Sequence, residues 1–454
     1  MPILPIDTGR HVTEEMKVIF EEENKLQRML DVEAALAWAH AEVGNIPRKD
    51  SKVIMKKAST RYVKLERVKA IECEIKHDVA SIVRALAEQS GSSGAYVHLG
   101  ATSYDIVDTA NALILKGAVR LIEQKLDGLE QVLMEKAGKY KKSIMVGRTH
   151  GQHALPITLG FKFAVWMREN ARNIQRLKQC SERLLVGKMT GAVGTQAGFG
   201  PNATKIQELV MKRLGLRHAD ISTQIVHRDR HAEFVCLLAL IASSLDNMAT
   251  EIRELQRPEI GELFEAFEYE TQVGSSSMSQ KRNPELCERI CGLAKVMRGL
   301  AVPSLENVIT WHERDLTQSS AERFILPEAC VLVDYMLFLM INILTNLRVD
   351  EKRMQQNLGV AQGRMMAEAV VSALVGKGMN RQEAHELLRK LTINSELENR
   401  HLREVLVGNK TVRKFLTGKE VEQALDPWKY LGTAAKQVGQ MIKKTRRERQ
   451  TKRI

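Results

Sequence analysis

The stretch AEFVCLLALIASSLDNMATEIREL (232–255) decides the fold. Its apolar residues Phe234, Leu238, Ile241, Leu245, Met248, Ile252 and Leu255 are separated by alternating steps of four and three. A helix turns once in about 3.6 residues, so these side chains share one face. Sustained over about three heptads, they form a seam for another helix. A second run repeats the pattern: Leu115, Val119, Ile122, Leu126, Leu129 and Leu133. Two such seams, far apart in the chain, predict a bundle of long helices crossing at shallow angles. The prolines agree. None falls in 48–155, 202–257 or 328–426, and a proline inside a helix costs about 3 kcal/mol. No stretch alternates like a strand over an appreciable length, so the expected class is all-α.

The chain has 454 residues, 44% hydrophobic, 27% charged and 5% aromatic. At roughly 150 residues per domain this allows two to four domains. It excludes a disulfide mini-protein, a collagen-like chain and a disordered tail protein. The expected division is an N-terminal helical domain (1–104), a central long-helix bundle (105–350) and a C-terminal helical domain (351–454). The most apolar stretch, Ala329 to Leu344, is interrupted by Asp334 and Asn342. That falls short of the roughly 18 uninterrupted residues of a span, so no membrane association is expected. The N-terminus lacks a basic patch followed by an apolar run, and the six cysteines form no CxxC. Reduced, buried thiols and a cytoplasmic location are expected. The formal charge is +13, and the tail KKTRRERQTKRI (443–454) carries seven basic residues against one acidic. With no groove-reading motif or stacking aromatics beside it, the tail is expected to be a solvated, frayed terminus rather than a nucleic-acid site. The remaining positive excess suits an anionic small-molecule substrate.

Three polar segments interrupt the helices: SGSSGAYVHLGATSYD (90–105), MTGAVGTQAGFGPN (189–202) and ETQVGSSSMSQKRNP (270–284). A bundle does not need such loops, and long loops in compact domains tend to carry function. Histidines at 77, 98, 150 and 312 lie in or beside polar segments, where an imidazole can exchange protons near neutral pH. HRDRH (227–231) puts two histidines one turn apart, but its arginines oppose a cation. An ion-pair turn is preferred there to a metal site. GAVGTQAGFG lacks the GxxxxGK[ST] phosphate-loop pattern, so its glycines are expected to serve a tight bend or a close approach. The third loop packs hydroxyls, Lys281, Arg282 and Asn283 before a helix expected to begin near Pro284. The free N–H groups of that helix, with the two cations, are expected to hold a carboxylate. WHERDLTQSSAER (311–323) adds Arg314, Ser319 and Arg323, and guanidinium forks match multiply charged anions.

Taken together, these segments resemble the fumarase/aspartase superfamily, whose loop pattern is GSSxMPxKxNP. Here it reads Gly274-Ser275-Ser276-Ser277-Met278-Ser279-Gln280-Lys281-Arg282-Asn283-Pro284. Within the superfamily, KHDV (76–79), VHLGATSYDIVDTA (97–110), GRTHGQHA (147–154), STQIVHRDRHAE (222–233) and WHERDLTQSSAERFILPEA (311–329) are most similar to the adenylosuccinate lyase family. They occur in the family's order over most of the chain. The resemblance implies three helical domains, a homotetramer with active sites shared between subunits, no cofactor, no metal and succinyl-nucleotide substrates. It implies His150 as general acid toward the leaving nitrogen, oriented by Glu288, and Ser275 as general base. Lys281 and Asn283 would hold the succinyl carboxylate, and His77 would assist near the leaving group. Arg10, His11, Asp78, His98, Thr102, Ser103, Thr149, Gln224, Arg314, Ser319 and Arg323 would bind substrate. Two departures stand out: Ser279-Gln280 replaces the usual Pro-His of the loop, and Arg10-His11 replaces an Arg-Tyr pair. Argininosuccinate lyase and the carboxymuconate cycloisomerase share the loop and fold, and a recruited non-catalytic scaffold is the rival from another class.

Overall fold

A computed structural model of the chain describes residues 4–268 and 270–451. The architecture is helical. Both seams lie inside long helices, Leu115–Leu133 in Ser103–Lys139 and Phe234–Leu255 in Asp229–Gln256. Every residue of the two seams is buried. Two further long helices run Leu159–Leu184 and Thr317–Asn346, and the latter continues through Pro327.

The chain forms two compact units. One comprises residues 1–127, 172–246 and 290–339, and the other 128–171, 247–289 and 340–454. This partition in space is distinct from a division along the sequence. In the first unit a core built on the helix Glu22–Glu42 extends over Ile54, Ile71 and Leu86 to Ile206 and Val210. Polar ties join its long helices: Lys125 donates to Asp334 at 2.5 Å, and Asn173 donates to Ser244 at 3.1 Å. The second unit has its own core around Val370, Leu388, Leu402 and Val412.

Four expectations are corrected. The helices Asp229–Gln256 and Thr317–Asn346 are long and apolar enough to cross a membrane. Two polar interruptions do not offset so many aliphatic residues. Their apolar surface is largely spent on packing, with 61% and 67% of the stretches buried. Second, GRTHGQHA is part of an antiparallel hairpin, Ile144–Thr149 paired with Gln152–Thr158. Deep burial is confined to its base, Ile144–Val146 with Pro156 and Thr158, so no long alternation marks it. Third, the basic tail is not frayed through its described length. It is the last part of a helix, Ala434–Thr451, docked by Arg168 donating to Glu448 (2.6 Å) and Arg449 donating to Glu130 (3.2 Å). Residues 452–454 lie outside the described residues. All six cysteines are free, but the expected burial fails for two of them: Cys73 is exposed and Cys236 half-buried, whereas the other four are buried.

Candidate functional site

In the first unit, motif residues distant in sequence line a cavity of about 870 Å³. His77, Asp78, Ser103, Arg314, Ser319 and Arg323 all contribute. His77 caps the helix Asp78–Ser90, its Nδ1 accepting from the Ala80 N–H at 3.3 Å. Asp78 opens that helix and accepts from Arg323 at 2.8 Å. Burial alone would raise the Asp78 carboxyl, but the Val79 N–H and the Arg323 guanidinium hold it below the usual range. Arg314 donates to the Gln224 side chain at 2.8 Å, and its Nε is buried with no hydrogen-bond partner. A guanidinium with an unused buried donor is ready for an anionic ligand.

The two Gly-rich segments of this unit are locked together. Asp105 accepts from the N–H groups of Thr102 (2.8 Å), Thr190 (2.9 Å) and Gly191 (3.1 Å), and from Lys188 at 2.5 Å. Lys188 and Asp105 are both fully buried. A Cβ on Gly100 would come within 2.6 Å of the Gly198 carbonyl. The glycines therefore serve loop-on-loop packing rather than a ligand. This frame carries Thr102 and holds His98, whose Nδ1 lies 2.6 Å from Glu33. His98, Thr102 and Gln224 do not line the cavity; Thr102 precedes the lining Ser103, and Gln224 meets the cavity through Arg314.

The HRDRH segment holds no metal cluster among the described residues. Arg228 turns away from Asp229 and uses its whole guanidinium inside the protein. It donates to Asp108 (2.8 and 3.0 Å), Glu322 (2.6 and 3.1 Å) and the Val226 carbonyl (2.5 Å). His231 adds a 3.4 Å contact to Glu322. This buried node fixes the segment that carries Ser319 and Arg323.

In the second unit, His150 occupies the hairpin tip. His150 and Gly151 have φ of 54° and 74°, the two positive values of a type I′ turn. A histidine there is uncommon, and His11, His98 and His312 share the left-handed region. Backbone strain of this kind concentrates at functional sites. A Cβ on Gly147 would sit 2.6 Å from the Leu155 carbonyl, where the register shifts. Arg148 braces the hairpin with a bidentate pair to the buried Glu262 (2.8 and 2.9 Å). Thr149 ends the first strand, facing Gln152.

The Ser275 loop belongs to the same unit. The N–H groups of Met278 and Ser277 donate to Ser275 Oγ at 3.2 and 3.4 Å. Asn283 donates to the Gly274 carbonyl at 3.1 Å, closing the loop at its base. A Cβ on Gly274 would lie 2.2 Å from the Lys281 carbonyl, so only glycine fits. Ser279 accepts from Arg282 through its carbonyl at 2.6 Å. The following helix starts at Glu285, one residue after Pro284. Its anion-binding end is already taken: the N–H groups of Leu286 and Cys287 donate to Glu265 at 3.1 and 2.6 Å. The expected carboxylate at this terminus is thus a side chain of the protein itself. Glu288 lies one turn in. Among the described residues, neither its carboxylate nor the His150 imidazole has a side-chain partner, and the structure forms no bond between them. Arg10 and His11 lie in a turn near the N-terminus, with the His11 ring 5.6 Å from Tyr335. Sequence reasoning missed Tyr104, Asp105, Asp108, Arg228 and Glu265, whose roles depend on distant partners.

The chain matches the Lyase family over residues 9–299 and the family described as adenylosuccinate lyase C-terminus over 363–441. It is 51% identical to the adenylosuccinate lyase of Pyrococcus horikoshii, covering 97% of this chain and 98% of that one. It is 48% identical to the adenylosuccinate lyase of Methanocaldococcus jannaschii, covering 98% and 96%. Among solved structures it resembles the fumarate lyase of Mesorhizobium sp. BNC1 (TM-score 0.89, 31% identity, 97% and 99% covered). It also resembles the 3-carboxy-cis,cis-muconate lactonizing enzyme of Pseudomonas putida (TM-score 0.89, 34% identity, 98% and 99% covered). The higher identity, sustained over the whole chain, and the match at the C-terminal region favour the first kind of relative over the second. The chain is a C–N lyase and belongs to the adenylosuccinate lyase family.

Proposed function

We propose that the enzyme releases fumarate from adenylosuccinate, giving AMP, and from the succinylaminoimidazole carboxamide ribotide, giving the free carboxamide ribotide. The observation that carries this reading is the cavity on which His77, Asp78, Arg314, Ser319 and Arg323 converge. Two guanidiniums, hydroxyls and an imidazole around 870 Å³ suit a nucleotide bearing phosphate and dicarboxylate. Ser103, Thr102, His98, Gln224 and Thr149 complete the binding set, with Arg10 and His11 toward the phosphate.

The chemistry follows from two proton transfers. Ser275 takes the proton from the carbon beside a succinyl carboxylate. The electron pair left on that carbon forms the fumarate double bond as the C–N bond breaks. His150 then supplies a proton to the departing nitrogen. A serine is a weak base unless its alkoxide is stabilised. The two N–H groups already aimed at Ser275 Oγ support that role. Lys281 and Asn283 hold the carboxylate as charge builds on it. His77 assists near the leaving group.

The working form we propose is a homotetramer whose sites draw on several subunits. His150 and Glu288 have no side-chain partner among the described residues of one chain, which suits partners from another copy. Val302, Ile309, Trp311 and Phe324 are 62–76% exposed, apolar surface of the kind that neighbouring subunits cover. A cytoplasmic location belongs to the same proposal, and six free thiols suit a reducing compartment.

The test is fumarate release, followed by absorbance, from adenylosuccinate, the succinylaminoimidazole carboxamide ribotide and argininosuccinate. Turnover of the first two and not the third is expected. Turnover of argininosuccinate alone would move the enzyme to the sister activity.

A further inference from the structure

We propose that Tyr104 is a positioning residue that presents two anion-binding groups, Ser319 and Arg314, to the cavity. Tyr104 lies in the first turn of the helix Ser103–Lys139, directly after Thr102 and Ser103, and it lines the cavity while only 6% exposed. Its phenol donates to Ser319 Oγ at 2.8 Å. A serine hydroxyl whose oxygen accepts this bond keeps its own hydrogen to donate, and the chain of bonds polarises it toward an anion. Among the described residues no acceptor takes that hydrogen.

The other half of the argument is the ring. The Arg314 guanidinium lies 3.6 Å from the Tyr104 ring centroid, a cation–π contact that fixes its plane. One terminal nitrogen of that guanidinium is held by Gln224 at 2.8 Å, while Nε is buried with no partner. The phenol thus aims a hydroxyl, and its face aims a guanidinium, from a single side chain. The buried Arg228 guanidinium also lies over the ring, 5.8 Å from the centroid, so two guanidiniums pack on Tyr104.

The chemistry recognised is an anionic oxygen cluster, carboxylate or phosphate. The inference rests on the proposed binding roles of Ser319 and Arg314. Its test therefore reads binding as well as turnover. Tyr104→Phe keeps the ring and loses the hydroxyl. Ser319→Ala removes its target, and the double variant closes a cycle. Thermal melts check that each variant folds. Affinity for AMP and for succinate is measured by calorimetry, and KM and kcat with adenylosuccinate.

Tyr104→Phe is expected to weaken one of the two ligands and raise KM by about five- to tenfold, with kcat within about twofold of wild type. In the Ser319→Ala background the same change is expected to have no further effect. Weakening of AMP identifies the phosphate, and weakening of succinate the carboxylate. Unchanged affinity for both ligands in Tyr104→Phe would overturn the inference, as would effects of the two substitutions that multiply. If wild type releases no fumarate yet binds either ligand in a Tyr104-dependent way, the proposed reaction falls and this inference stands. If wild type turns over and Tyr104→Phe binds and reacts as wild type does, the reaction stands and this inference falls.

Discussion

Replacing Arg228 by methionine should remove a large part of the protein's stability. Arg228 is 2% exposed, and its five N–H groups are all used, on Asp108, Glu322 and the Val226 carbonyl. Methionine fills most of the volume but leaves two carboxylates buried without their counter-ion. Removing one partner of a buried ion pair costs about 3–5 kcal/mol. The Glu322 carboxyl points the same way. Burial pushes it up, yet His231 and Arg228 outweigh this and hold it at about 2, against an ordinary 4.5. Arg228 supplies part of that depression, alongside the His231 bond, so its loss removes a share of the stabilisation. The sign is fixed: a carboxyl depressed in the folded state contributes above its unfolded pKa. The contribution is lost as pH falls from about 4.5 through about 2. Urea denaturation of wild type and Arg228→Met should show the midpoint falling sharply at pH 7 and the gap narrowing toward pH 3. Replacing Asp108 and Glu322 by leucine in the same chain should recover much of the loss. A methionine variant as stable as wild type at pH 7, or a deficit that does not shrink with acid, would refute the reasoning.

Other outcomes follow from the same contacts. Burial lowers the His98 pKa, but the Glu33 carboxylate at 2.6 Å more than offsets it and raises it above 6.5. The pair therefore stabilises below about pH 6.5 and fades as pH rises through the raised folded value. Glu33→Gln should destabilise more at pH 6 than at pH 9, read by thermal melts, with the His98 NMR titration shifted down. Gly147→Ala should disrupt the hairpin that carries His150, because the added methyl meets the Leu155 carbonyl at 2.6 Å; activity should fall well before the helical circular dichroism does. Glu448→Gln should loosen the last helix from Arg168 at a cost of only about 1 kcal/mol, since the pair is partly exposed, and salt should mask the difference.

The fold was legible because its signal is repetitive. The seams at Leu115–Leu133 and Phe234–Leu255 state a helical period many times over, and each lies buried as that period requires. The hairpin was hidden because its turn reads THGQ, with a histidine where asparagine or glycine would announce a type I′ turn. The tail misled because composition cannot show that Glu448 and Arg449 meet partners some three hundred residues away. At the site, the motifs gave the residue types. They did not reveal that Glu265 fills the helix terminus after Pro284, or that the ion pairs expected at HRDRH run from Arg228 to the distant Asp108 and Glu322. Those facts depend on which distant carboxylate arrives, and local pattern carries no such information.

The central claim is that Ser275 of one subunit and His150 of another serve the same substrate. The direct measurement is to prepare Ser275→Ala and His150→Ala separately, confirm that each is folded, oligomeric and inactive, then mix them under conditions that exchange subunits. Mixed oligomers should regain a measurable fraction of fumarate release, because some sites receive both intact residues. Full subunit exchange with no recovery of turnover would contradict the account.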